Sequence, residues 1–325
     1  MNAADRFWTV ALSAAAIMLV TMGARQSLGL FLAPIHDDTG LSIASISFAM
    51  AVAQLMWGAV QPAAGAVADR YGSGRVLVAG IVLLALGNAL APLLPGTLGL
   101  VFSLGLLTAV GAGTGSFAVL FGATAHQLPA SRQGFASGLI NAGGSFGQFL
   151  YAPIVQRLIA VFGWMGAFWS LALMSLCALP LVRVLVGGDT AHARPAHAPG
   201  GLGAAIADAF KDGSYLLVHA GFFTCGFHIA FLVTHLPGEV NLCGLPPTVA
   251  SWSLAIIGLA NIFGSIASGH WVGHHRSKLV LFWMYGSRAV LILLYLAAPR
   301  TDWTFYAFAA GLGFTWLATV PPTAR

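Results

Sequence analysis

The chain has 325 residues, 58% of them hydrophobic and 7% charged, and a mean hydropathy of +0.86. Soluble domains carry about 25% charged residues, so this chain has too little charge to coat a water-facing surface, which excludes a soluble enzyme, a nucleic-acid binder and a disordered chain. Fourteen basic against nine acidic residues give +5, and the surplus reads as orientation information rather than affinity for polyanions. Cys177, Cys225 and Cys243 stand far apart, without the pairing or spacing of disulfides or metal ligands.

A helix needs about 20 apolar residues to cross a bilayer. In chain order, such stretches fall at 7–35, 43–67, 76–94, 98–125, 134–155 and 160–186, then at 215–236, 249–272, 279–298 and 303–320. The runs are continuous, as in LVAGIVLLALGNALAPLL, whereas a barrel needs alternation with period two. The prediction is an all-α polytopic membrane protein of about ten transmembrane helices. The first stretch follows Arg6 as a signal peptide would, yet it resumes after Arg25 and Gln26 as SLGLFLAPI. That length predicts an uncleaved first helix.

Placing the N-terminus in the cytoplasm puts Arg6, Arg70, Arg75, Arg132, Arg183, Arg194, Lys211, Arg276, Lys278 and Arg325 inside. Only Arg157 and Arg300 fall outside, the bias expected of short loops. One polar break, rich in Gly, Pro, Ala and His, separates six spans from four. The predicted organisation is a six-helix bundle at 1–186, a cytoplasmic loop at 187–214 holding a short surface helix, and a partial four-helix bundle at 215–325. The loop GAVADRYGSGR after the second span has a counterpart, GHWVGHHRSK, after the eighth, which suggests an internal duplication.

The strongest motif is Gly65-x-x-x-Asp69-Arg70-x-Gly72-x-x-Arg75. Glycine permits a sharp turn and close helix packing, and Asp69 can cap a helix or pair with an arginine. The alternative is an ordinary basic cytoplasmic turn. This motif resembles the loop 2–3 signature of the major facilitator superfamily, with Gly74 standing where a basic residue is usual and Gly273 where the second copy would be acidic. GARQSLGLFLAPI and GFFTCGFHIAFLVTHLP resemble its bacterial branch of monocarboxylate-transporter-like and oxalate–formate-antiporter-like carriers. The resemblance implies a two-bundle fold with a rocking seam, usually of 12 helices. It leaves two readings of this chain's end, a ten-helix form or a truncated, inactive product.

Arg25 and Arg288 lie inside spans, where each costs about 2.5–3.5 kcal/mol at mid-membrane. No Asp or Glu lies well within a span to pair with them, so the two cations favour an anionic substrate. A guanidinium fork fits a carboxylate; the alternative for Arg25, which lies well past the first helix's midpoint, is bonding to backbone carbonyls or snorkelling. His228 and His235, seven apart on the seventh span, are candidates for substrate binding or proton coupling, against packed histidines. Tyr285 and Asn141 join the substrate list, and Asn261 is a lesser candidate. Gln54/Gln61 and Asn141/Gln148 form polar stripes that are more often interhelical hydrogen bonds than ligand contacts. Gly111, Gly113, Gly115, Gly134, Gly138, Gly143 and Gly147 are expected to let helices approach closely.

The expected function is secondary transport of a small organic anion by alternating access, with proton symport or anion exchange. The alternatives are a proton-coupled exporter of drugs or metabolites and an inactive carrier. No GxxxxGK[ST] or HExxH is present. An enzyme, a metal, a cofactor and nucleic acid are therefore not expected. A bacterial inner-membrane monomer in its lipid bilayer is.

Overall fold

The structure is a computed structural model, and it describes residues 3–125, 127–186 and 210–316. Most of the 187–214 loop, with Arg194, and the terminal residue Arg325 lie outside the described residues. The described residues are almost wholly helical. Eight helical segments are long and apolar enough to cross a membrane. One of them, Arg132–Val186, runs for 55 residues and reverses at Gly163, whose φ of 68° and ψ of 175° suit only glycine. It therefore supplies two spans. With the 13-residue helix Asp302–Phe314 at the end of the described chain, the layout accommodates the ten expected from composition.

Span 1 is not one continuous helix. Ala3–Gln26 gives way to a 3₁₀ turn at Leu28–Phe31 before Leu32–Thr39 resumes. Pro34 has no N–H for the Leu30 carbonyl, and Ser27 Oγ donates to the Gly23 carbonyl at 2.8 Å. The chain leaves through Gly40 at φ 69°, and Ser42 caps span 2, Ile43–Tyr71, by accepting from the Ser45 N–H. This layout recurs about 204 residues later. Gly244 has φ 71°, and Pro247–His274 and Ser277–Ala297 stand where Ile43–Tyr71 and Ser73–Leu93 stand in the first half.

Packing is divided between two large apolar clusters, with a small third of Val272, Val280 and Met284. One joins the halves: Phe31, Ile35, Tyr151, Trp164 and Phe168 share it with Val233, Leu236, Leu254, Ile257, Phe308 and Leu312. Phe31 stacks on Phe168 at 4.0 Å, and the Trp164 indole donates to Asp38 at 2.8 Å. The other cluster, with Phe7, Val10, Leu77, Ile81, Leu120, Ile140 and Val182, belongs to the first half alone. Among the described residues, the halves therefore meet towards the end that carries Asp38 and Gly163, and not towards the end that carries Gly72.

Lipid offers helices no hydrophobic gain on association, so close packing must hold them together. An added Cβ would lie 2.4 Å from the Ala15 carbonyl oxygen at Gly143 and 2.3 Å from that of Leu19 at Gly147. Gly111, Gly113 and Gly115 are equally crowded, by Leu84, Val60 and Thr21. Gly134 and Gly138 correct the expectation: a Cβ added at either would meet no other part of the described residues within 4 Å. They sit on span 5 towards the Gly72 end, where the halves do not meet.

Candidate functional site

Arg25 ends the helix Ala3–Gln26, where the dipole favours a cation, just before the 3₁₀ break. Its Nη2 donates to Gln54 Oε1, and its guanidinium lies over the Trp57 ring, 3.8 Å from the centroid. Gln54 and Trp57 are three residues apart on span 2 and so share a face. A charge-assisted hydrogen bond is worth about 1.5–3 kcal/mol and a desolvated cation–π contact about 2 kcal/mol. Together they offset the intramembrane cost of about 2.5–3.5 kcal/mol without neutralising the charge. Gln54 engages one of five N–H donors. Arg25 also borders a cavity of about 20 Å³ lined by Leu28, Gly29, Met50, Thr108, Val233 and Thr234, room for a water-sized group. Gly29 closes it: a Cβ there would lie 2.2 Å from the Val233 carbonyl oxygen, so span 1 rests directly on the backbone of span 7.

Arg288 is placed otherwise. It is 1% exposed and does not line that cavity. Its Nη2 donates to the Thr315 carbonyl and, at 3.1 Å, to that of Trp316, while Nε reaches Thr315 Oγ1 at 3.4 Å and Nη1 reaches Cys225 Sγ at 3.5 Å. The last helix ends at Phe314, and a helix end leaves carbonyls without intrahelical donors. Arg288 supplies those donors. Neither arginine pairs with a carboxylate among the described residues.

His228 lies half-buried on span 7, Gly213–Leu242, and lines a second cavity of about 520 Å³ with Gly221, Thr224, Tyr285, Ala289, Ile292 and Leu293. Its Nδ1 is buried with no hydrogen-bond partner among the described residues. Tyr285 donates to the Gly221 carbonyl at 2.8 Å, tying spans 7 and 9. His235 packs its ring on Phe231 at 4.9 Å and lines neither cavity, nor does the half-buried Asn141. Asn261 donates to Ser145 Oγ at 2.7 Å, a polar tie between span 8 and span 5. Arg25 is thus separated from Arg288 and His228, while His228 and Tyr285 share one cavity.

In the loop motif, Gly72 has φ 92° and its N–H caps span 2 through the Ala68 carbonyl, a conformation that requires glycine. Asp69, Arg70 and Arg75 are exposed, with Arg70 over the Tyr71 ring. Gly65 faces open space, so the close packing expected of it is absent. Gly74, the departure from the signature, lies against Val186, whose side chain would be 3.0 Å from an added Cβ.

Residues 14–324 match the profile of the Major Facilitator Superfamily. The chain belongs to this superfamily. It is 27% identical over 325 residues to Monocarboxylate transporter 13 of Bos taurus, covering 97% of this chain and 73% of that protein. It is 24% identical over 334 residues to the Oxalate:formate antiporter of Oxalobacter formigenes, covering 95% of this chain and 74% of that protein. In three dimensions it superposes on the xylose transporter XylE from E. coli in a partially occluded inward open conformation, with a TM-score of 0.71 at 17% identity over 98% of this chain and 86% of that one. The superfamily member is therefore an integral membrane transporter and not an enzyme, as its composition and loop signature imply.

Trp57 is the site residue that sequence reasoning missed, and Gln54 was visible only as part of a stripe. Their spacing of three on a helical face was a signal, but nothing in sequence says which helix face meets Arg25.

Proposed function

We propose that this transporter carries a small organic anion by alternating access, with the Arg25 guanidinium as the group that receives the carboxylate. The observation that supports the reading is the contrast between the arginines. Arg25 retains open donors beside a cavity between the halves, whereas the donors of Arg288 are engaged by a helix end. Relatives named for monocarboxylate and oxalate:formate transport agree with an anion. Gln54 and Trp57 fix the guanidinium plane, so one edge is preorganised for a bidentate acceptor. Residues 1–186 and 215–325 act as the two rocking units, joined by 187–214. With the N-terminus cytoplasmic, the halves meet at their outer ends, and the open Gly65, Gly134 and Gly138 mark the route to the cytoplasm. His228 and Tyr285 contribute from span 7 and span 9, Asn141 lies along the cytoplasmic route, and His228 with His235 are the groups available for proton coupling. Motion is driven by proton symport or by exchange for a second anion, in a bacterial inner membrane, by a monomer.

The test is uptake of labelled carboxylates by proteoliposomes. Arg25→Gln is expected to abolish uptake of every carboxylate, since a neutral amide lacks both charge and fork. Uptake by Arg25→Gln equal to that of the unaltered chain would overturn the assignment.

A further inference from the structure

We propose that in the substrate-free carrier Arg25 holds a monoatomic anion, a halide, which ties the two halves together until a carboxylate displaces it. The premise is a mismatch between charge and space at this residue. No Asp or Glu pairs with Arg25 among the described residues, and its one hydrogen bond there goes to Gln54. A cation inside the membrane without a counter-charge is costly. The cavity that Arg25 lines measures about 20 Å³, room for a single small occupant, since a water needs roughly 10–15 Å³. A carboxylate, three heavy atoms in a plane and joined to a carbon chain, does not fit it. A halide is one atom and carries the missing charge.

The side chains around the cavity favour an anion over water. A guanidinium has donors only. Gln54 turns its Oε1 to that guanidinium, so the group it keeps for another partner is its amide N–H₂. Thr108 brings no acceptor: its Oγ1 is buried against Gly87 of span 3, where an added Cβ would lie 2.3 Å away. Thr234 supplies a hydroxyl, which can donate as well as accept, and the remaining lining side chains are apolar. A water placed among these groups finds one side-chain acceptor for its two hydrogens. An anion needs none.

These donors come from both halves: Arg25 and Gln54 from spans 1 and 2, Thr234 from span 7. The Trp57 ring covers one face of the guanidinium, 3.8 Å from it, which leaves the anion the edge where the N–H groups lie. Beside the cavity, Gly29 already rests on the Val233 carbonyl. A halide between the guanidinium edge and the Thr234 hydroxyl pins span 1 to span 7 at that contact. A carboxylate competes for the same donors, and its larger size parts the two spans as it enters. The halide thus sets a closed resting state that opens by exchange of one anion for another. This rests on the reading of Arg25 as the group that receives the anion.

The experiment measures the melting temperature of the purified full chain in detergent, titrated with sodium chloride, with sodium bromide, and with sodium sulfate at equal ionic strength. Binding to the folded state raises the melting point by mass action, whereas sulfate, too large for the cavity, acts through its general exclusion from protein surfaces. Both halides are expected to give a saturable rise that sulfate does not give and that Arg25→Gln lacks. Thr234→Val, which keeps the shape but removes the hydroxyl, should need about tenfold more halide for the same shift. Monocarboxylates of two to six carbons are then titrated in low and in high halide. At ten times the halide's own half-saturating concentration, the carboxylate needed for a half-maximal shift should rise about elevenfold, as for two ligands that share one site. If carboxylates shift the unaltered chain but not Arg25→Gln, while halides act equally on both, the halide site falls and the anion reading stands. Unchanged halide affinity in Thr234→Val overturns the bridge between the halves, and a carboxylate response indifferent to halide overturns the displacement. If Arg25→Gln responds to carboxylates as the unaltered chain does, the anion reading itself falls.

Discussion

Two glycines on the same helix should respond in opposite directions to the same substitution. At Gly147 an added Cβ meets the Leu19 carbonyl oxygen at 2.3 Å, and that atom is backbone, which cannot swing aside as a side chain would. Relief requires span 1 and span 5 to separate by about 1 Å, a gap that forfeits a quarter to a half of each contact's dispersion energy. Overpacking of this kind costs about 1–3 kcal/mol. At Gly138, two and a half turns away, an added Cβ would meet no other part of the described residues within 4 Å. There Ala gains about 0.5–1 kcal/mol from its lower entropy cost in a helix. Gly147→Ala and Gly138→Ala should therefore differ by roughly 1.5–4 kcal/mol in the unfolding free energy. Equilibrium denaturation in mixed micelles, followed by tryptophan fluorescence, measures the difference. Equal stability of the two variants, or a less stable Gly138→Ala, would refute the account of which glycines form the packing seam.

The arginines separate in the same way. Arg288→Met leaves the Thr315 and Trp316 carbonyls without their guanidinium donors, at about 1–3 kcal/mol for each unmade group. Arg25→Met loses one hydrogen bond and a ring contact but also removes a costly intramembrane charge, so its stability should fall by about 0–2.5 kcal/mol. Thermal melts of the empty proteins check this, and a larger loss at Arg25 than at Arg288 would contradict it. Gly163→Ala forces a Cβ into a conformation with φ 68° and ψ 175°, at roughly 1–3 kcal/mol. The same melts should show a lower transition, and an unshifted one would mean that the reversal between spans 5 and 6 tolerates other backbone angles.

Much of the fold was legible in the sequence because a membrane imposes its requirements residue by residue. Every backbone polar group in lipid must be satisfied within its own helix, so continuous apolar runs were enough to define helices and to bring their number close to ten. Turn glycines were equally local: Gly72 occupies a dihedral region closed to other residues, and the motif that names the superfamily depends on that backbone. The carbonyl-capping alternative considered for Arg25 describes Arg288 instead, because both arginines look alike as isolated intramembrane cations.

What the tertiary structure decided was relational. The glycine pairs at Gly134/Gly138 and Gly143/Gly147 have identical spacing, yet only the second pair meets another helix. Trp57 under Arg25, the carbonyls around Arg288 and Thr234 at the Arg25 cavity depend on which helix faces which, and helical periodicity leaves that choice open. The sequence by itself determined that the chain must cross a membrane, where it turns and which of its residues are too polar to lie there unpartnered. Only the packing of the two halves decided which of those residues found partners within the protein, because hydrogen bonds and close contacts are short-ranged and form between spans distant in sequence.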